Sequence, residues 1–325
     1  MFQIRTDLAV EAREIYNSTY NKESEGVKVH EINPYEDIKV TKVSITNATG
    51  EKNMGKPKGN YITIDIPEFT HYDGETMNRV SEVLAKSISD IIDRDKNKNT
   101  LVVGLGNWNV TPDALGPKVI SKTMVTRHLK QLIPDEIDEN ISPVSALSPG
   151  VLGLTGIETG EIVKGVVEKI KPDLIICIDA LASRRLSRVN RTIQIGDTGI
   201  SPGAGVKNHR KAINKETLGV PVIAIGVPTV VDAATVANDT IDLVLDEMIN
   251  QATSGGEFYN MLKSIDKYEK SRLIQELLSP EVGDLIVTPK EVDTVIDSVS
   301  RIIANGINLA LQPDLDLDEI NQFIN

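Results

Sequence analysis

The stretch Leu101–Pro117, LVVGLGNWNVTPDALGP, constrains the possible folds more than any other part of this sequence. It begins with five residues, LVVGL, that are apolar enough for a strand buried on both faces. The glycines in GLGN permit a tight turn, and Thr111 and Pro112 suit a helix N-cap and a first helical position. Asp113 is therefore expected where a buried strand passes into a helix, and ligands bind at such places in open α/β sheets.

Two further apolar runs repeat this arrangement and predict the fold class. LIICIDAL (174–181) and VPVIAIGVPTVVD (220–232) are each followed by polar residues and accompanied by helical patterns. Strands that alternate with helices predict an α/β fold with a mainly parallel sheet and helices on both faces. The other predicted strands are 38–46, 61–66, 142–147 and, at an edge or in a hairpin, 191–197. The predicted helices are 75–93, 112–133, 161–170, one that ends at Leu245, and more from 255 to 307. Residues 1–35 are expected to be a polar addition with one short helix.

Composition narrows the function classes. The net charge is −12 and the sequence pI is about 4.9, which argues against nonspecific binding to nucleic acid or to an anionic membrane. The single cysteine, Cys177, excludes a disulfide framework and is typical of a cytoplasmic protein. No segment approaches 18 uninterrupted apolar residues and the N-terminus does not resemble a signal peptide, so neither a membrane span nor export is expected.

Three aspartates follow the buried strands. Asp113, Asp179 and, less clearly, Asp232 lie at strand ends that share one edge of a parallel sheet. Two carboxylates held close together do not both ionise easily, so one keeps its proton. The ionised partner can then deprotonate a water molecule while the protonated one polarises a carbonyl group. The spacing alone fits a structural role equally well, in which an aspartate caps a helix or pairs with arginine.

Basic residues follow Asp179 in this otherwise acidic chain. Arg184, Arg185, Arg188 and Arg191 either form a basic surface, or they recognise acidic side chains of a substrate or lower the pKa of a nearby carboxylate. The Gly-rich segment 196–211 either contacts a substrate or forms an interface.

No cofactor is predicted. The dinucleotide fingerprint that begins at Gly104 is incomplete, because its third glycine position is occupied by Asn109. The four histidines are scattered singly, without close metal-ligand spacing, so no metal site is expected. One alternative stays open here: a non-catalytic nucleotide-binding α/β module.

Four long runs resemble one protein family. GLGNWNVTPDALGP, SPGVLGLTGIETGEI, ICIDALASR and TIQIGDTGISPGAGVKNHR are similar to the germination proteases of endospore-forming bacteria. These endopeptidases begin the degradation of small acid-soluble spore proteins, and the resemblance covers nearly the whole chain. It implies a fold similar to that of hydrogenase maturation proteases, with N-terminal additions. It also implies a homotetramer in the forespore or spore core.

The resemblance assigns roles to particular residues. The catalytic aspartates of this aspartic-type family correspond to Asp113 and Asp179. A metal-dependent peptidase that uses the same aspartates as ligands stays open as an alternative. A zymogen is implied, and its self-processing is expected between Asp7 and Leu8. Residues 1–7 are then a propeptide, and 8–325 a single α/β endopeptidase domain with an inserted hairpin and C-terminal helices. The family cuts its substrates after a glutamate and before a hydrophobic residue that is followed by alanine. Arg184, Arg185 and Arg188 are therefore predicted to bind the acidic residue before the cut.

Overall fold

The structure is a computed structural model, and it describes residues 6–68, 73–92, 98–201, 211–265, 273, 276 and 285–324. The strands are β1 (Val27–Tyr35), β2 (Ile38–Ile45), β3 (Gly59–Asp65), β4 (Thr100–Gly104), β5 (Val144–Leu147), β6 (Leu174–Ser183), β7 (Thr192–Gly196), β8 (Val222–Asp232) and β9 (Ile286–Val287). The helices are α1 (Ala9–Tyr20), α2 (Ala48–Met54), α3 (Gly74–Ser89), α4 (Leu115–Ile120), α5 (Arg127–Leu132), α6 (Leu152–Thr155), α7 (Thr159–Ile170), α8 (Lys215–Leu218), α9 (Ala233–Gln251), α10 (Glu257–Lys263), α11 (Val292–Leu311) and α12 (Leu317–Ile324). None of the helices in the described ranges is long and apolar enough to cross a membrane.

The fold is α/β, as predicted, but the sheet is mixed, and the expectation of a mainly parallel sheet is wrong. The strand order is β1-β2-β3-β7-β8-β6-β4-β5, with β9 paired to β8. Only the block β5-β4-β6-β8 is parallel, and the other described pairings are antiparallel. Short connections explain part of the difference. Residues 36–37 join β1 to β2 and residues 184–191 join β6 to β7, whereas a parallel crossover needs a dozen residues or more.

Two strands differ from the expectation in a further way. β7 lies inside the sheet, between β3 and β8, and not at an edge or in a simple hairpin. β1 was not predicted, because it is an edge strand whose side chains are all at least partly exposed, and its apolar alternation stops after Val29. The other predicted strands are confirmed to within a few residues at each end.

The predicted helix 112–133 is divided into shorter elements. Thr111–Asp113 form a 3₁₀ turn, α4 ends at Ile120, and α5 begins only at Arg127. Between the two helices, the Thr126 backbone N–H donates to the Val144 carbonyl oxygen and the Thr126 hydroxyl donates to the Ser142 carbonyl oxygen. Pairing with the start of β5 therefore interrupts the helix, a long-range effect that helical periodicity does not report.

Helices cover both faces of the sheet, as predicted. On one face, α3, α4 and α11 bury a large apolar cluster against β2, β3, β6, β7 and β8. On the opposite face, α7 packs on the parallel block, while α1 and α2 pack on β2 and β3. Helix α3 shows why these segments dock: its Val80, Leu84 and Ile88 are fully buried, and each such side chain contributes about 1.5–3 kcal/mol.

Candidate active site

Asp113 lies in the 3₁₀ turn between β4 and α4, and backbone contacts fix that turn. Its N–H donates to the Val110 carbonyl oxygen (2.8 Å), and its carbonyl oxygen accepts from Asn107 N–H (3.0 Å). Gly106 has φ +111°, and a Cβ there would lie 2.0 Å from the Asp113 carbonyl oxygen. Only glycine permits this close approach, so Gly106 sets where Asp113 sits.

The expected N-cap role of Thr111 is not observed. Val110 occupies the cap position, without a side-chain cap, and the Thr111 hydroxyl instead donates to Asp293 Oδ1 of α11 (2.7 Å). The turn is also held from β8, where the Thr229 hydroxyl donates to the Pro112 carbonyl oxygen (2.7 Å). Two distant elements thus hold the turn that carries Asp113.

Asp179 lies on β6, where the strand leaves the buried core. Its side chain is 8% exposed, and Oδ1 accepts the N–H of Ala180 (2.9 Å). Cys177 lies two residues earlier on the same face of the strand and is fully buried. Burial, with a smaller contribution from Asp179, raises the pKa of the Cys177 thiol, which therefore stays protonated and is unsuited to nucleophilic attack.

The pairing of β4 with β6 brings the two aspartates to one place. Leu105 N–H donates to the Ile178 carbonyl oxygen (2.8 Å), so the residue before Gly106 is bonded to the residue before Asp179. Asp113 and Asp179 line the same cavity, which has a volume of about 680 Å³. Asp232, the last residue of β8, is not among the described residues that line it.

The cavity exists because small residues face it from the centre of the sheet. Gly196, Ala224 and Gly226 line it on adjacent strands, on the face opposite the α3–α11 core. The first part of the Gly-rich segment 196–211 borders it as well, through Gly196 and residues 198–201, and so does Ala212, directly after the segment. Residues 202–210 lie outside the described part of the chain.

The N-terminal segment enters this cavity. Asp7 lines it and lies alongside the end of β6, where Asp7 Oδ2 accepts the N–H of Ala182 (3.0 Å). Two side chains donate to the Asp7 carbonyl oxygen: Lys56 Nζ and Gln194 Nε2, each at 2.8 Å. Leu8, which follows Asp7 across the Asp7–Leu8 peptide bond, is fully buried.

Helix α1 is anchored directly after this bond. Glu11 is 1% exposed, and its carboxylate accepts the backbone N–H groups of Arg184 (2.9 Å) and Arg185 (3.1 Å). The Thr6 hydroxyl also donates to Glu11. A single carboxylate therefore joins α1, the segment before it and the end of β6.

The predicted substrate-binding arginines contact α1 rather than Asp7. Arg188 pairs with Glu14 (2.7 Å), with Asp65 (3.1 Å) and, at 3.6 Å, with Glu11. The Arg185 side chain pairs with Glu14 at 3.3 Å. The charge of Arg184 acts on Asp239 of α9, whose pKa is raised, mainly by burial, although Arg184 opposes that rise. The structure brings Arg185 and Arg188 together with the N-terminal helix but not with the acidic residue before the expected cut.

No motif or spacing in the sequence indicates Lys56 or Gln194 as site residues. Lys56 lies in the loop after α2, and burial lowers the pKa of its ammonium group, while the charges of Asp7 and Glu11 raise it. Its Nζ is also 5.9 Å from the centre of the Tyr61 ring. Gln194 alternates with Ile193 and Ile195 in the run TIQIG, so the pattern would assign it to a solvent-facing side. Only the position of β7 inside the sheet turns it toward the cavity.

The described residues contain no group of three or more His, Cys, Asp or Glu side chains that could hold a metal ion.

Comparison with known proteins identifies relatives over the full length of the chain. The family model described as germination protease matches residues 6–255 and 246–324. A germination protease of Clostridium perfringens (strain 13 / Type A) is 66% identical over 325 residues, which is 100% of both chains. That of Clostridium tetani is 63% identical and covers 99% of each chain. That of Bacillus cereus is 42% identical and covers 99% of this chain and 97% of its own.

Proposed function

This chain belongs to the germination protease family, and we propose that it is an endopeptidase in which Asp113 and Asp179 activate a water molecule. The observation that supports this most is that both aspartates line one cavity together with Asp7 of the chain's own N-terminal segment. An aspartate pair and a peptide segment in one cavity are the components that peptide hydrolysis by water requires.

In the proposed reaction, one carboxylate takes a proton from water as the water oxygen attacks the peptide carbonyl carbon. The other carboxylate gives its proton to the leaving nitrogen, and the carbon–nitrogen bond breaks. The proton of such a pair belongs to both groups, so neither aspartate is assigned as the base.

We further propose that the chain is a zymogen that cuts itself between Asp7 and Leu8. The bond lies beside the cavity, and Asp7 resembles in chemistry the acidic residue expected before the cut. Cleavage would remove residues 1–7 and leave 8–325 as one endopeptidase domain. Because Glu11 and Leu8 are buried, α1 would stay docked and only the short N-terminal segment would leave the cavity.

The contacts change the proposed role of the arginines. Arg185 and Arg188 hold α1 through Glu14, so we assign recognition of the acidic residue before the cut to other groups. The Ala182 N–H bonds the carboxylate of Asp7, and the charge of Lys56 lies near it. The proposed substrates are small acid-soluble spore proteins, and the proposed form is a homotetramer in the spore core.

The test compares the full wild-type chain with Asp113→Asn and Asp179→Asn. Asparagine keeps the shape of the side chain but cannot take up a proton. Self-processing is followed by intact mass spectrometry, and cleavage of a peptide with a Glu-Leu-Ala sequence is followed in parallel. Both variants should lose activity by roughly a thousandfold while folding normally. Asp232→Asn is the matched control, because Asp232 also ends a strand but does not line the cavity, and it should retain activity.

Each reaction is repeated with a chelator. Activity that survives exhaustive chelation supports the aspartic mechanism. Loss of activity on chelation, with recovery on adding metal, would instead make the aspartates metal ligands. Aspartate variants that cleave as well as the wild type would show that the site assignment is wrong.

A further inference from the structure

One carbonyl oxygen in the cavity receives two side-chain donors from distant parts of the chain. Lys56 and Gln194 lie 138 positions apart, yet both donate to the Asp7 carbonyl oxygen at 2.8 Å. A carbonyl oxygen has two lone pairs, and these two donors match that number. Under the proposed function, this oxygen belongs to the peptide bond that is cut.

We infer that Lys56 Nζ and Gln194 Nε2 form the oxyanion-binding pair of this protease. This inference rests on the proposed function, because it assumes that the Asp7–Leu8 bond is a substrate of the site. The two groups touch the carbonyl whose oxygen becomes negatively charged when water attacks, so they act as catalytic residues of the self-processing reaction.

With Lys56 and Gln194 on the carbonyl oxygen, neither aspartate is needed to polarise the carbonyl group. Water attacks the Asp7 carbonyl carbon, its proton passes to the ionised aspartate, and the carbonyl electron pair moves onto the oxygen held by Lys56 and Gln194. When the oxygen re-forms its double bond, the Leu8 nitrogen leaves with the proton of the other aspartate. Both carboxylates are thus used for proton transfer, and the developing negative charge is stabilised by a cation and an amide donor.

Both donors are held in place before the reaction, which is what makes such groups effective. Gln194 projects from the sheet interior, and its Oε1 accepts Ala9 N–H (2.6 Å), so one side chain holds the chain on both sides of the bond. Lys56 lies next to Pro57, whose carbonyl oxygen accepts the Tyr61 hydroxyl (2.8 Å), and this contact ties the loop to β3. Neither group has to move when charge develops.

The test uses the full chain and measures the rate at which the Asp7–Leu8 bond is cut, by intact mass spectrometry. Lys56→Met removes the charge and keeps the length of the side chain. Gln194→Glu keeps an acceptor for Ala9 N–H and loses the donor to the Asp7 carbonyl. Each should slow cleavage by about a hundredfold or more, the usual effect of removing one oxyanion donor. Lys56→Arg keeps the positive charge and should cut at close to the wild-type rate. If the effect of Lys56→Met came only from lost packing, keeping the charge would not preserve the rate.

Lys58→Met is the matched control, because Lys58 lies in the same loop but is exposed, and it should cut at the wild-type rate. Thermal unfolding is measured for every variant. If Lys56→Met does not fold, the decision rests on Lys56→Arg and Gln194→Glu.

The outcomes separate this inference from the proposed function. If Asp113→Asn blocks cleavage while Lys56→Met and Gln194→Glu cut at the wild-type rate, the oxyanion pair is refuted and the aspartic mechanism stands. If the wild-type chain is never cut between Asp7 and Leu8, self-processing is refuted, and the inference is refuted with it.

Discussion

Replacing Glu11 with alanine should release the N-terminal segment from the cavity while the rest of the protein stays folded. The Glu11 carboxylate accepts two backbone N–H groups, from Arg184 and Arg185, at 2.9 and 3.1 Å. It is 1% exposed, so in Glu11→Ala the two donors lose their partner in a place that water reaches poorly.

The size of the effect follows from these two bonds. A hydrogen bond to a charged group contributes about 1.5–3 kcal/mol, so the pair contributes about 3 kcal/mol at the lower limit. Because 1.4 kcal/mol corresponds to a factor of ten, local opening of the segment should become more frequent by about a hundredfold. The opening is local, so the free energy of global unfolding should change less than the local value.

Amide hydrogen exchange measures this opening directly. The N–H groups of Ala9 and Ala182 are bonded to Gln194 Oε1 and to Asp7 Oδ2 in the docked segment. In Glu11→Ala both should exchange about a hundredfold faster, whereas the core strand β4 should be unchanged. Glu23→Ala is the control, because Glu23, beyond the end of α1, forms a surface ion pair with Arg13 of α1, and such pairs contribute about 0–1 kcal/mol. Protection of Ala9 that stays within threefold of the wild type would refute the anchoring role of Glu11.

Two further predictions concern the turn of Asp113 and the titration of Lys56. In Gly106→Ala the added Cβ would lie 2.0 Å from the Asp113 carbonyl oxygen, so the free energy of unfolding should fall by about 1–3 kcal/mol. Displacement of Asp113 should also slow cleavage by about a hundredfold. A variant with wild-type stability and cleavage rate would contradict this prediction. The oxyanion role requires protonated Lys56, and burial lowers the pKa of Lys56 while Asp7 and Glu11, the charged groups that face it, oppose the shift. The cleavage rate should therefore decline with rising pH before the ordinary lysine value of 10.5, and Lys56→Arg should move that decline to higher pH. Between the lowered pKa and 10.5 the unfolded chain binds more protons than the folded one, so the free energy of unfolding should rise with pH, and urea titrations of Lys56→Met should lack this rise.

The sequence was sufficient for the elements whose pattern is local. Strands β4, β6 and β8 are apolar runs buried on both faces, and α3 and α7 carry apolar stripes at helical spacing. Because β4 and β6 are parallel neighbours, the residues at their carboxyl ends were expected to meet, and Asp113 and Asp179 do line one cavity.

Long-range pairing accounts for what the sequence analysis did not predict. The direction of β7 depends on the short connection from β6, and its place between β3 and β8 depends on hydrogen bonds to residues far away in the chain. The interruption after α4 likewise comes from the pairing of Thr126 with β5. Neither the position of β7 nor the interruption after α4 can be predicted from the local spacing of apolar residues.

The sequence by itself thus determined the fold class, the family, and the two aspartates that the cavity brings together. The tertiary structure alone decided what surrounds them: Lys56 and Gln194 on the Asp7 carbonyl, and the arginines on α1. The physical reason is that periodicity records which side of an element is buried, a property of neighbouring residues. Which side chains meet at one carbonyl oxygen depends on how distant strands and loops pack, and only the complete sheet fixes that.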